Sequence, residues 1–209
     1  MELENFHDHG DEGEIWFGKA VERRVIEWIK INRPVSTDPA ILDLGCGNGH
    51  FTLKLIEAGW LRVAALDYSE KAVELARKLV GFPADDERIF QADILNPQSL
   101  PAQYHSHFNV ILDKGTFDAI SLNPEFDAVE EKVSKTKLIA DAFKSTLKTF
   151  LAPTEDSIFI ITSCNWTAAE LAQIFAPEFE AVGEVPHTKF VFGGKSGQDV
   201  STVIFKLKQ

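Results

Sequence analysis

Short apolar runs alternate along this chain with segments of helical period, and that alternation constrains the fold more than any other feature. Residues 40–44, 61–66, 88–92, 108–112 and 157–162 each read as a strand. Between them, Phe51, Leu53, Leu55 and Ile56 suggest a helix ending at Gly59. Ser69 N-caps a second helix to about Leu79, which Gly81 and Pro83 end. A long helix runs from roughly 133 to 151, stopped by Pro153, and Thr167 caps another to about Phe175. Ahead of the first strand, Ile15, Ala20, Val21, Val25, Trp28 and Ile29 recur at steps near three to five, until Pro34 stops the pattern. Two strands, about 179–185 and 200–206, close the chain without an intervening helix. Strands alternating with helices mean βαβ units and a mainly parallel sheet. The runs lack period-two alternation, as expected of strands covered on both faces. The expectation is an α/β domain of three layers, with a seven-stranded, mainly parallel sheet and a C-terminal antiparallel strand pair.

A chain of 209 residues fits one domain. Its net charge is −11, and the first 14 residues hold six acids with no Lys or Arg, leaving −5 for the remainder. We expect residues 1–13 to be a flexible acidic tail and residues 14–209 the folded domain. An acidic chain without a basic stripe is a poor nucleic-acid binder and suits small molecules or a basic protein partner. No apolar stretch approaches the roughly 20 residues that span a bilayer, and no signal segment precedes the domain. Cys46 and Cys164 stand outside any C-x-x-C pair, which fits a reducing, cytoplasmic compartment. His7 and His9 in the tail read as solvated residues, so no metal site is expected, and a monomer is the expected state.

In an open α/β sheet, ligands bind beyond the carboxyl ends of the strands. Four strand ends here offer a carboxylate: Asp43, Asp67, Asp93 and Asp113. The first leads into Gly45-Cys46-Gly47-Asn48-Gly49. A dinucleotide fingerprint, G-x-G-x-x-G, needs its third glycine where His50 stands. The spacing found instead suits S-adenosylmethionine, which has no phosphate but carries an adenosine, a sulfonium cation and an amino-acid end. Glycines let backbone approach that end closely. Asp67 would accept from the ribose hydroxyls, Asp93 from the adenine amino group, and Tyr68 and Ile94 would sandwich the ring. A lone G-x-G is also a tight turn, and a single acid at a strand end also caps a helix. It is the four elements together, in order, that point to the cofactor.

With those motifs the chain resembles the seven-strand class I methyltransferases over about residues 15–209. Three segments resemble the branch of protein-lysine methyltransferases acting on translation elongation factor 1-alpha. They are Asp113-Lys114-Gly115-Thr116-Phe117-Asp118 with the residues to Pro124, Ile161 to Thr167, and Phe192-Gly193-Gly194-Lys195-Ser196-Gly197. Glu14-Ile15-Trp16-Phe17-Gly18 matches that branch as well. The resemblance implies a Rossmann-like fold, S-adenosylmethionine as cofactor and that elongation factor as partner. Trp16, Asp43, Gly45, Gly47, Asn48, Asp67, Tyr68, Asp93, Ile94 and Asp113 are then the expected cofactor residues. Asp113 would orient the target amine or contact the cofactor's ammonium. Phe117, Asn165 and Trp166 are candidates for the wall around the target lysine, with plain core packing as the competing reading for Phe117. Trp16 and Phe17 would close over the methionine end, or serve only as core of the first helix. Asn123-Pro124-Glu125-Phe126 reads as a loop or helix start, and Cys46 as a packing residue. A different protein, a small-molecule acceptor, or a scaffold without activity are the alternatives; the modest segment near 119–135 leaves the acceptor side open, which favours a macromolecule.

Overall fold

The computed structural model describes residues 15–123, 132–192 and 195–208. The acidic tail, His7, His9, Pro124-Glu125-Phe126 and Gly193-Gly194 lie outside the described residues. Helix α1 (Gly18–Asn32) precedes β1 (Ile41–Leu44). Then follow α2 (His50–Glu57), β2 (Val63–Asp67), α3 (Glu70–Val80) and β3 (Ile89–Gln91). The second half runs β4 (Val110–Lys114), α4 (Thr116–Ser121), α5 (Lys132–Phe150), β5 (Ile158–Ser163) and α6 (Ala168–Phe175). It ends with β6 (Phe179–Glu184), β7 (Lys189–Phe192), β8 (Lys195–Gln198) and β9 (Ser201–Leu207).

Local chemistry sets these boundaries. The Ser69 side chain accepts the Ala72 N–H at the start of α3, and Gly81, at φ 78°, ends it in the left-handed conformation. At α6 a full capping box forms: Thr167 accepts from Glu170 N–H while the Glu170 carboxylate accepts from Thr167 N–H.

Seven strands form one sheet in the order β3-β2-β1-β4-β5-β9-β6. The pairs from β3 through β5 are parallel, and β9 pairs antiparallel with both β5 and β6. The chain therefore leaves β1 toward β2 and β3, then returns to lay β4 on its other side. The crevice lies at that reversal, beyond the ends of β1 and β4. Alternate residues of the buried strands serve opposite layers. Leu42, Leu44, Ile111, Phe159 and Ile161 pack with α5 and α6. Ile41, Val110, Leu112, Ile158 and Ile160 pack with α1 and α2. Among the described residues, no helix is long and apolar enough to cross a membrane.

Three features depart from the sequence expectation. Strand β4 continues through Asp113 and Lys114 rather than ending at Leu112. The short helix α4 was not legible, because Gly115-Thr116-Phe117-Asp118 carries no helical period long enough to register. The stretch between the two terminal strands holds the β7–β8 hairpin, a separate two-stranded sheet.

Candidate active site

The glycine loop after β1 turns back under β2. Gly45 and Cys46 donate their N–H groups to Leu66 O, and Gly47 donates to Asp67 Oδ2 at 2.9 Å. Gly45, Gly47 and Gly49 all have positive φ, at 73°, 53° and 82°. Two of them also need their bareness for space: a Cβ at Gly45 would strike Thr116, and one at Gly49 would sit 2.6 Å from the Ala76 methyl. A Cβ at Gly47 would meet nothing, so there the loop borders open space.

That space is a cavity of about 780 Å³ at the carboxyl ends of β1, β2 and β4. Of the residues the sequence singled out, Gly45, Gly47, Asn48, Asp67, Tyr68, Asp93, Ile94 and Trp16 line it. Asp67 is buried but for one edge; its Oδ1 accepts Ser69 N–H and its Oδ2 accepts Gly47 N–H, each at 2.9 Å. Asp93 is exposed at the rim and accepts Leu95 N–H at 2.9 Å. Tyr68 is 78% exposed, with its carbonyl bound by Gln91, and Ile94 is buried on the cavity wall. Cys46 is buried, and burial pushes its thiol up, which suits packing rather than nucleophilic attack.

The remaining expected residues do not reach this space, and the pleat of the strands explains why. Asp43 points toward α2, where it accepts a 2.6 Å hydrogen bond from Thr52 Oγ1. Burial raises its pKa to about 6, with the Thr52 bond opposing. Asp113 points toward the opposite layer. Its two oxygens accept Thr116 N–H at 2.9 Å and Phe117 N–H at 3.0 Å, so it caps α4 rather than facing an amine. Burial raises Asp113 to about 8 against those two donors. Phe117 is fully buried, with its ring 5.4 Å from Phe143 and 5.5 Å from Phe175, and is core rather than a substrate wall. Asn165 is exposed on the turn after β5 and lines neither cavity. Trp166 packs on Phe117 at 6.3 Å and lines a second groove, of about 650 Å³, between α5 and α6.

Several residues went unread in the sequence. Asp118 accepts Ser163 Oγ–H at 2.6 Å and Cys164 N–H at 2.8 Å, which pins α4 to the end of β5. Lys114, Gly115, Thr116, Ala119, Ile120 and Asn123 line the cavity from the β4–α4 side. Glu22 of α1 and His50 of α2 are both buried and meet at 2.8 Å, with Lys114 Nζ 3.6 Å from Glu22. Twenty-eight residues separate that Glu–His pair, so no local signal announces it. Trp16 and Phe17 lie against Gly115: a Cβ there would come within 2.7 Å of the Trp16 ring and 3.0 Å of the Phe17 ring. Phe17 itself holds φ 65°, an uncommon conformation for a bulky residue.

Comparison with known proteins bears on this cavity. Residues 36–206 match the family described as "Methyltransferase domain". The chain is 42% identical to "EEF1A lysine methyltransferase 2" of Danio rerio, over 98% of this chain and 82% of the relative. It is 38% identical to the protein of the same name from Homo sapiens, over 98% and 80%. It is 33% identical to "Protein-lysine N-methyltransferase efm4" of Schizosaccharomyces pombe, over 99% and 88%. Among solved structures, an S-adenosylmethionine-dependent methyltransferase from Anabaena variabilis aligns with TM-score 0.61 at 16% identity, covering 99% of this chain and 92% of that one. The N-methyltransferase NodS from Bradyrhizobium japonicum, in complex with S-adenosyl-L-homocysteine, aligns with TM-score 0.53 at 16% identity, covering 90% and 87%. At these identities the structures share the fold.

Proposed function

The chain belongs to the methyltransferase-domain family, and on that premise we propose that it is a protein-lysine N-methyltransferase that uses S-adenosylmethionine to methylate a lysine of translation elongation factor 1-alpha. The observation that carries this reading is identity of 32–42% along nearly the whole chain to proteins named for that activity. The cavity fits the cofactor. Its open face at Gly47 leaves room for a ligand against backbone, and Asp67 and Asp93 provide acceptors for hydroxyl and amino groups. Asp67 would hold the ribose and Asp93 the adenine amino group, while Tyr68 and Ile94 would flank the ring. The loop from Gly45 to Asn48 would receive the amino-acid end, under Trp16.

The bound cofactor supplies a methyl group already activated by a positive sulfur, so the protein's task is mainly positioning. The target amine approaches from the α4 side, where Ala119, Ile120 and Asn123 line the cavity. A lysine has a reference pKa of roughly 10.4, so its neutral form costs about 4–5 kcal/mol at pH 7. The apolar lining from Ala119 and Ile120 disfavours the ammonium and reduces that cost. Asp113 contributes indirectly: by capping α4 it sets where those residues stand. The whole domain from residue 14 acts as one unit, as a monomer in the cytoplasm, with the acidic tail outside the catalytic machinery.

The test is to incubate the purified protein with radiolabelled S-adenosylmethionine and a proteome from cells lacking the enzyme. A labelled band at the elongation factor's mass is expected, and peptide mapping then identifies the lysine and the number of methyl groups. Label entering a small metabolite, with that band absent, would overturn the protein substrate.

A further inference from the structure

Helix α5 leads into the start of β5, and α6 leaves from its end. Both helices therefore begin at the carboxyl edge of the sheet, where the cavity lies, and run away from it. The groove of about 650 Å³ between them follows the same course down the flank of the domain. At its upper end stands Trp166, whose Nε1–H donates to Ser121 Oγ at 3.4 Å. Ser121 is followed by Leu122, which is 59% exposed, and by Asn123, which lines the cavity. Trp166, Ser121, Leu122 and Asn123 thus join the groove to the acceptor side of the cavity. Residues 136 to 144 of α5 line the groove, about 12 Å of helix at 1.5 Å per residue. That is the length of about four extended residues.

The chemistry of the groove selects its occupant. Ala140, Ile174, Ala176 and Pro177 give it an apolar lining, and the half-buried Trp166 offers an aromatic face. Three carboxylates, Asp141, Glu170 and Glu178, stand against two ammoniums, Lys137 and Lys144, which leaves one negative charge. Lys144 is already committed: it is buried, with Nζ held between Asp141 Oδ1 at 2.9 Å and Glu178 Oε2 at 3.0 Å. Glu170 is exposed, and its Oε2 is spent on Thr167, which leaves the other oxygen for a donor. An apolar channel with an aromatic anchor and a surplus of acid fits a peptide that carries an apolar side chain beside a Lys or Arg. We propose that the α5–α6 groove is a docking site for an extended segment of the protein substrate, with an apolar side chain on Trp166 and a basic one at Glu170. The proposal rests on the protein-lysine reading above and adds to it a second contact, away from the target lysine. Docking there holds the substrate while its lysine enters from the α4 side.

Steady-state methylation of purified elongation factor 1-alpha at saturating S-adenosylmethionine tests this, with a charge pair at one position. Gln173 lines the groove, is exposed and lies outside the cavity, and a helix accepts Lys and Glu there alike. Gln173→Lys should raise KM for the elongation factor about threefold, and Gln173→Glu should lower it about twofold, each with kcat within about twofold of wild type. Trp166→Ala should raise KM about tenfold, with S-adenosylhomocysteine affinity by calorimetry unchanged. The Gln173 pair carries the test if Trp166→Ala does not fold. KM unmoved in all three variants would overturn the proposal. So would equal shifts from Gln173→Lys and Gln173→Glu, or a loss of cofactor affinity in Trp166→Ala that matches its rise in KM. A wild-type dimer in sedimentation that Trp166→Ala splits would assign the groove to a second copy of the chain and overturn it as well. A wild type that binds S-adenosylhomocysteine but leaves the elongation factor unmethylated would remove the proposed substrate, and this docking site with it.

Discussion

Asp67 does two jobs with one carboxylate. It orders the glycine loop through Gly47 N–H and the start of α3 through Ser69 N–H, and it still borders the cavity. Asp67→Ala should therefore weaken S-adenosylhomocysteine binding at least about tenfold and also lower stability by about 1 kcal/mol, from N–H groups left unpaired. Calorimetry reads the first effect and urea unfolding the second; a variant that binds normally would remove Asp67 from the site. Phe117 and Trp166 separate in the opposite way. Phe117 is fully buried among Phe143 and Phe175, so Phe117→Ala should cost about 3–5 kcal/mol in urea unfolding. Trp166 is half-buried and keeps one face on the α5–α6 groove, so Trp166→Ala should cost clearly less. Each aromatic stood in a motif-bearing segment of the sequence, Phe117 after Asp113 and Trp166 after Ile161. Only the burial of each tells core from surface.

At the scale of an element, α4 depends on Asp113. Its carboxylate takes the first two N–H groups of the helix, but burial raises its pKa to about 8, and that of Asp43 to about 6. Both groups hold protons more tightly in the folded chain than in the unfolded one. Stability from them is thus fully present below the ordinary carboxylate range and declines as pH rises through about 4 to 8. The melting temperature should therefore fall between pH 5.5 and pH 8.5, and Asp113→Asn should flatten that slope. A melting temperature that rises with pH over this window would contradict the assignment. Helix α6 offers a comparison away from the cavity: Thr167→Ala removes its capping box and should cost about 1 kcal/mol in urea unfolding, with cofactor affinity unchanged.

At the scale of the whole molecule, the charge matters through its sign. The chain carries −11 overall, with −5 remaining beyond the acidic first 14 residues. Such a surface attracts a basic protein over distances that salt screens within about 10 Å at 0.1 M. Raising ionic strength should accordingly lower kcat/KM for the protein substrate, acting on association, while cofactor affinity at the cavity changes less. Equal salt sensitivity of the two would argue against steering by the surface.

The sequence alone determined the layer architecture, the parallel sheet with its antiparallel edge, and much of the cavity lining from Trp16 to Ile94. Each of these is written locally: in apolar period, in glycines that need positive φ, and in an acid placed at the tip of a strand. Which acids face the cavity was decided only in three dimensions. Asp67 at the end of β2 reaches the cavity, whereas Asp43 and Asp113 are turned by the strand pleat into opposite layers and spend their oxygens on Thr52 and on α4. The same holds for Glu22, His50 and Lys114, which lie on α1, α2 and β4. Contacts between elements distant in the chain depend on how layers pack, and a one-dimensional pattern carries no record of that.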